Sequence, residues 1–130
     1  MNSRRIKFLL SATIALGLQS TVNGRVFPPK VAPHDLVGSW VVTHGNSKSE
    51  ACQSDFVSDF LPDGRYGGDL EDGVWSLSGN ILTIKILRSN YDTGGEGPMR
   101  RVRRPEIRKI RVSKVRDGQI NMDHDIAVRC

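Results

Sequence analysis

Along much of the chain apolar and polar side chains alternate with a spacing of two, the period of a strand that buries one face. The pattern is clearest in two stretches. Residues 81–87 form the most β-rich run, and within residues 107–115 Ile110 and Val112 fall on one face while Lys109 and Arg111 fall on the other. A first strand is predicted over residues 36–43. Cys52, Phe56 and Phe60 share one parity, with Ser54 and Ser58 between them, and predict a second strand ending near Leu61. Pro62-Asp63-Gly64 then turns the chain, because Pro presets one backbone angle and Gly accepts a positive one.

Residues 65–70 read as a short third strand, with a bulge or sharp bend at Gly67 and Gly68. Glu71-Asp72-Gly73 is read as a turn, residues 74–77 as a returning strand, and Ser78-Gly79-Asn80 as the next turn. A long loop is predicted over residues 88–105. Beyond it Arg116-Asp117-Gly118-Gln119 closes a hairpin, and Ile120, Met122, Ile126, Val128 and Cys130 share one parity to the end. No helix of 3.6-residue period is predicted in this part of the chain. Seven or so short strands with closely spaced turns make an all-β class, an antiparallel up-and-down meander closed as a barrel or flattened as a sandwich.

The beginning of the chain follows a different pattern. Arg4, Arg5 and Lys7 precede an apolar run over residues 8–18, and small or compact residues follow at Val22-Asn23-Gly24. A charged start followed by an apolar run of this length matches a signal-peptide core and falls short of the roughly 20 residues of a bilayer-spanning helix. Residues 1–24 are therefore expected to be a signal peptide cleaved near Gly24, and the protein to be periplasmic or secreted. Residues 25–35, with Pro28, Pro29 and Pro33, are expected to form an extended leader, and residues 36–130 one domain without a transmembrane segment. A monomer is expected.

An oxidising destination changes the reading of the cysteines. Cys52 and Cys130 are the only two, and an even pair in an exported domain suggests a single bridge. Closing so long a loop is worth roughly 4–5 kcal/mol in the chain-entropy account. A metal site is the other use of two cysteines, but they lack nearby histidines at ligand spacing. Export also changes the charge. The whole chain carries +5, but without Arg4, Arg5 and Lys7 it holds 16 basic and 14 acidic residues, a net +2. The remaining excess is local: residues 88–116 hold 10 basic and 3 acidic side chains.

Leu36-Val37-Gly38-Ser39-Trp40 resembles the Gly-x-Trp opening of lipocalin-like barrels, in which the Trp plugs one end. Phe60-Leu61-Pro62-Asp63-Gly64-Arg65-Tyr66, Gly73-Val74-Trp75 and Leu82 are similar to a recurring layout in small bacterial lipocalin-like (calycin-type) domains. The likeness covers residues 36–87, and the rest only as strand spacing. It implies a small barrel that binds a small apolar ligand, with Trp40, Phe56, Phe60, Trp75, Leu82, Ile84, Ile110 and Val112 as the lining. The same residues are needed as core, since the interior of an eight-stranded barrel can be filled by side chains alone.

Two other uses compete with a ligand site. Arg100, Arg101, Arg103 and Arg104, continuing into Arg108, Lys109 and Arg111, form a basic run suited to phosphate, sulfate or carboxylate groups on an acidic polymer, an anionic lipid or a protein partner. Nucleic acid is not expected, because Tyr91 is the only aromatic near the run. The outline is also similar to small exported bacterial inhibitors of metalloproteases, with residues 25–35 as the protruding segment. In those inhibitors, however, the bridge is local to the first half. Catalysis is not expected. His34, His44 and His124 have no zinc-ligand spacing, and a strand through Asp123-His124-Asp125 would turn the histidine away from both carboxylates. Gly94-Gly95-Glu96-Gly97 lacks the Gly-Lys-Ser/Thr ending of a phosphate loop. No cofactor or metal is expected.

Overall fold

The computed structural model describes residues 29–54 and 56–130. The expected signal peptide and the first residues of the leader lie outside them. Eight antiparallel strands close into a barrel in sequence order: β1 (Gly38–Thr43), β2 (Ser58–Phe60), β3 (Arg65–Gly67), β4 (Glu71–Ser78), β5 (Ile81–Ser89), β6 (Arg100–Arg116), β7 (Gln119–Met122) and β8 (Asp125–Arg129). The last strand pairs with the first, Trp40 opposite Arg129 and Val42 opposite Ala127, so the sheet closes on itself. The all-β, up-and-down expectation holds in its closed form.

Inward positions supply one core of Trp40, Phe60, Tyr66, Trp75, Leu82, Ile84, Ile86, Val112, Ile120 and Ala127, joined by Val31 from the leader and by Leu36 just after it, which is helical and not part of the first strand. Phe60 stands edge-on to Trp75 at 5.7 Å and tilted against Tyr66 at 5.4 Å. Such contacts add roughly 0.5–1.5 kcal/mol per pair to the burial itself. One end of the barrel is closed by α1 (Pro33–Leu36), a single helical turn that starts on Pro and is capped from within. Its Asp35 carboxylate accepts from the Ala32 N–H at 2.9 Å and from the Lys114 ammonium at 3.0 Å. The end of the leader is thus packed into the fold, with a helical turn where none was expected.

Trp40 is the plug that the Gly-x-Trp motif implies. Its indole N–H donates to the Leu36 carbonyl at 2.7 Å, and the Arg129 guanidinium lies 4.9 Å above its ring. Arg129 also donates to the Asp35 carbonyl at 2.7 Å. Gly38 makes room for that arrangement: at φ +133° a side chain is strained, and a Cβ would sit 3.3 Å from Arg129 Nε.

Four local expectations are corrected. The second strand is only β2, because residues 48–52 form a helix, α2 (Lys48–Cys52), started by a reciprocal cap between Ser47 and Glu50. Glu71-Asp72-Gly73 is not a turn but the start of β4. The chain turns instead over residues 68–70, where the Gly68 N–H donates to the Glu71 carbonyl at 2.8 Å. Residues 100–105 are strand, not loop. The register between β5 and β6 breaks between Ile86–Glu106 and Arg88–Arg101, and Pro105, which has no N–H to give, falls in that break. Finally, β8 does not continue the parity of β7. The two-residue turn at Asp123 (φ +55°) and His124 sets Met122 opposite Asp125, so Ala127 and Arg129 face inward while Ile126 is exposed.

The Cys52–Cys130 bridge forms as expected, with Cα atoms 5.6 Å apart. It fastens α2 and the chain end outside the main core, where Val41 and Ala51 are both buried.

Candidate functional site

Opposite α1, the barrel end that carries the β7–β8 turn holds a cavity of about 250 Å³. Alternation along each strand builds its apolar wall: Trp40 and Val42 from β1, Phe60 from β2, Ile84 from β5, Ile110 from β6, Met122 from β7 and Ala127 from β8. Of the eight residues expected to line a ligand site, Trp40, Phe56, Phe60, Ile84 and Ile110 do meet here. Trp75, Leu82 and Val112 do not. Leu82 and Val112 are fully buried core, and the Trp75 indole N–H is spent on the Leu61 carbonyl at 3.0 Å. Phe56 is misread as an inward strand residue. It lies in the connection after α2, 79% exposed, and only edges the cavity mouth.

The polar wall comes from residues the pattern had assigned elsewhere. Arg108 has the parity of Ile110 and Val112 and points into the barrel, away from the outward Lys109 and Arg111 with which it was grouped. Its guanidinium grips Glu71 through both carboxylate oxygens, with Nη2 donating to Oε2 at 2.9 Å, while Nε donates to Glu106 at 2.6 Å. Glu71 is only 5% exposed and also accepts from the Tyr66 hydroxyl at 3.3 Å. That hydroxyl is within 3.4 Å of Ser58 Oγ, which lines the cavity too.

The electrostatics follow from these contacts. Hydrogen bonds to Glu106 and then to Glu71 hold Arg108 charged more firmly than an ordinary arginine. Burial pushes the Tyr66 phenol up, against a smaller lowering by Ser58, so it remains a neutral donor. Glu71 and Glu106 together outweigh Arg108, and Asp123 and Asp125 stand at the rim. The mouth is therefore net acidic. Asp123 Oδ1 accepts from the Arg111 backbone N–H at 2.8 Å, and the Arg111 side chain is exposed on the outer face, in register with Ile81.

Nothing in this constellation is arranged as a nucleophile with its base. His34 and His44 lie away from the cavity, and His124 sits in the β7–β8 turn, not in a strand. Among the described residues no group of three His, Cys, Asp or Glu side chains is placed to hold a metal ion. Of the residues expected to form an anion patch, Arg100, Arg101, Arg103, Arg104, Lys109 and Arg111 are all exposed along β6, and Arg108 alone is removed from the set.

No protein-family model, curated protein or solved structure matches the chain. What the geometry establishes is an architecture, an eight-stranded antiparallel barrel compatible with the lipocalin-like form. Among the described residues no helix is long and apolar enough to cross a membrane.

Proposed function

We propose that the chain is an exported, non-enzymatic, lipocalin-like binding protein that takes a small, mainly apolar ligand with one uncharged polar group into the open end of its barrel. The observation that carries this reading is the cavity itself. A barrel of this size can be filled by its own side chains, yet about 250 Å³ stays open against Trp40, Phe60, Ile84 and Ile110. Drug-sized sites run to about 300–1,000 Å³, so the occupant is a single ring system or a short chain.

The polar wall selects the head group. Arg108, Tyr66 and Ser58 offer hydrogen bonds, but the charge of Arg108 is already matched by Glu71 and Glu106. A carboxylate would be repelled by the net acidic mouth, whereas an uncharged alcohol, ketone or amide would not. Native mass spectrometry of the protein purified from a host that exports it is the first test, because a carrier brings its small molecule along. The second is titration with the neutral fluorophore 1-naphthol, a single fused ring system with one hydroxyl. Saturable binding that disappears in Ala127→Leu, which fills the cavity from β8, supports the reading. No co-purifying molecule and no saturable binding by the wild type would leave the interior as core alone.

A further inference from the structure

The outer face of the β3–β6 sheet has no role in the cavity, and its composition is unusual for a solvated surface. The register sets Arg65, Val74, Lys85 and Ile107 in one row across four strands. The next rows bring Thr83 beside Lys109 and Ile81 beside Arg111, and nearer the other end of the sheet Arg88 lies opposite Arg101. Val74, Ile81 and Ile107 are 40%, 36% and 59% exposed. Aliphatic and cationic side chains are therefore interleaved on one surface about 14 Å wide, given about 4.8 Å per strand.

The carboxylates bordering this face are already used. Asp63 pairs with Arg65, Asp72 with Arg88, and Glu106 with the inward Arg108. Among the described residues Lys85, Arg101, Lys109 and Arg111 enter no ion pair. Arg103 and Arg104 are also exposed, in the register break of β6, whereas Arg100 lies opposite Ser89 in the row of the buried Glu71 and belongs to the other face. A soluble polyanion would use the cations but gain nothing from the aliphatic side chains set among them, and a protein interface favours a contiguous apolar centre with charges at its rim, which Val74 and Ile107 on either side of Lys85 do not offer. An anionic bilayer surface uses both: phosphates pair with the cations, and the aliphatic side chains enter the layer below the headgroups.

We infer that the outer face of β4–β6 docks on an anionic phospholipid surface, with Val74, Ile81 and Ile107 entering the interface and Lys85, Arg101, Lys109 and Arg111 pairing with phosphates. The probe is co-sedimentation of the protein purified from a host that exports it, so that the basic and apolar residues 4–18 do not contribute, with vesicles of equal parts phosphatidylcholine and phosphatidylglycerol. Phosphatidylcholine vesicles and a heparin column run alongside. Wild-type chain is expected to prefer the anionic vesicles. At about fivefold in partitioning per basic residue near the surface, the triple variant Lys85→Gln, Lys109→Gln, Arg111→Gln loses roughly two orders of magnitude. Ile107→Ser is expected to lose roughly tenfold on vesicles and to leave heparin retention unchanged. Unchanged vesicle binding in the triple variant, or no preference of the wild type for phosphatidylglycerol, overturns the proposal. Loss of both heparin and vesicle binding in the triple variant, with Ile107→Ser binding vesicles like wild type, assigns the face to a soluble polyanion and also overturns it. All four positions are exposed, so unchanged circular dichroism separates these losses from misfolding.

Discussion

The ion pair between Glu71 and Arg108 can be separated from its surroundings by a double-mutant cycle, and the structure sets the expected asymmetry. The Glu71 side chain is 6% exposed and that of Arg108 is 35%. Glu71→Leu leaves the guanidinium with Glu106 and with water at the mouth, so its cost falls below the roughly 3–5 kcal/mol of stranding a fully buried charge; about 2 kcal/mol is expected. Arg108→Met strands a carboxylate that keeps only the Tyr66 hydroxyl. That change is expected to cost about 3–5 kcal/mol.

The double variant Glu71→Leu, Arg108→Met leaves neither charge behind and puts apolar side chains beside Ile84, Ile86 and Ile110. It is expected within about 1 kcal/mol of wild type, a coupling of roughly 4 kcal/mol or more. Urea unfolding at neutral pH measures all four corners, provided the slopes agree. The reasoning is refuted if the two single changes add to within about 0.5 kcal/mol, because the groups would then not share a desolvated site. It is also refuted if Glu71→Leu proves the costlier single change, since that reverses the order of burial.

Three further outcomes are expected. Replacing Cys52 and Cys130 by Ser reopens a loop with a sequence separation of 78, an idealised loss of about 4.5 kcal/mol in denaturant unfolding; a loss under about 1 kcal/mol would show the ends to be held without the bridge. Gly73→Ala places a Cβ 1.9 Å from the Lys85 carbonyl oxygen and is expected to cost about 3 kcal/mol, whereas Gly67→Ala, whose nearest neighbour is at 3.9 Å, stays within about 0.5 kcal/mol; equal thermal midpoints would contradict the bulge at Asp72 and Gly73. The hydrogen bond from Ala32 and then that from Lys114 hold the Asp35 carboxyl below its ordinary 3.8, so the stability it lends is present above that pH and is lost as pH falls through the lower folded value. Asp35→Asn is therefore less stable than wild type at neutral pH, and the gap closes in acid; a gap that widens below the ordinary carboxylate range reverses the sign and rejects the capping role.

Much of the barrel was legible because its signals are local. Turn chemistry at Pro62-Asp63-Gly64 and at Ser78-Gly79-Asn80, and alternation along β5 and the second half of β6, need no knowledge of distant residues. The errors have equally specific causes. Ser47-Lys48-Ser49-Glu50 carries a capping box, a readable sign of α2 that the shared parity of Cys52, Phe56 and Phe60 obscured. Glu71-Asp72-Gly73 has turn composition, but Glu71 is drawn inside by an arginine 37 positions later, a contact that no window of neighbouring residues contains. At the end of the chain, parity was carried straight through a two-residue turn. Opposed residues of a hairpin face the same side, so the inward set after Met122 is Asp125, Ala127 and Arg129.

The site was half legible for a related reason. Its apolar wall follows from alternation, and so would the place of Arg108, which shares parity with Ile110 and Val112. Counting charge along the chain hid this by merging Arg108 with Lys109 and Arg111. Strand geometry divides that run between two environments that do different things: Arg108 neutralises a buried carboxylate inside the barrel, and its neighbours stand uncompensated on the outside. The division decides how the basic run has to be probed. Replacing all of Arg100, Arg101, Arg103, Arg104, Arg108, Lys109 and Arg111 together would strand Glu71 and unfold a fraction of the chain. The lost affinity for an anionic surface would then report stability. Holding Arg108 fixed while the outward cations change keeps the two faces of β6 separate, and only then does a loss of binding describe the surface.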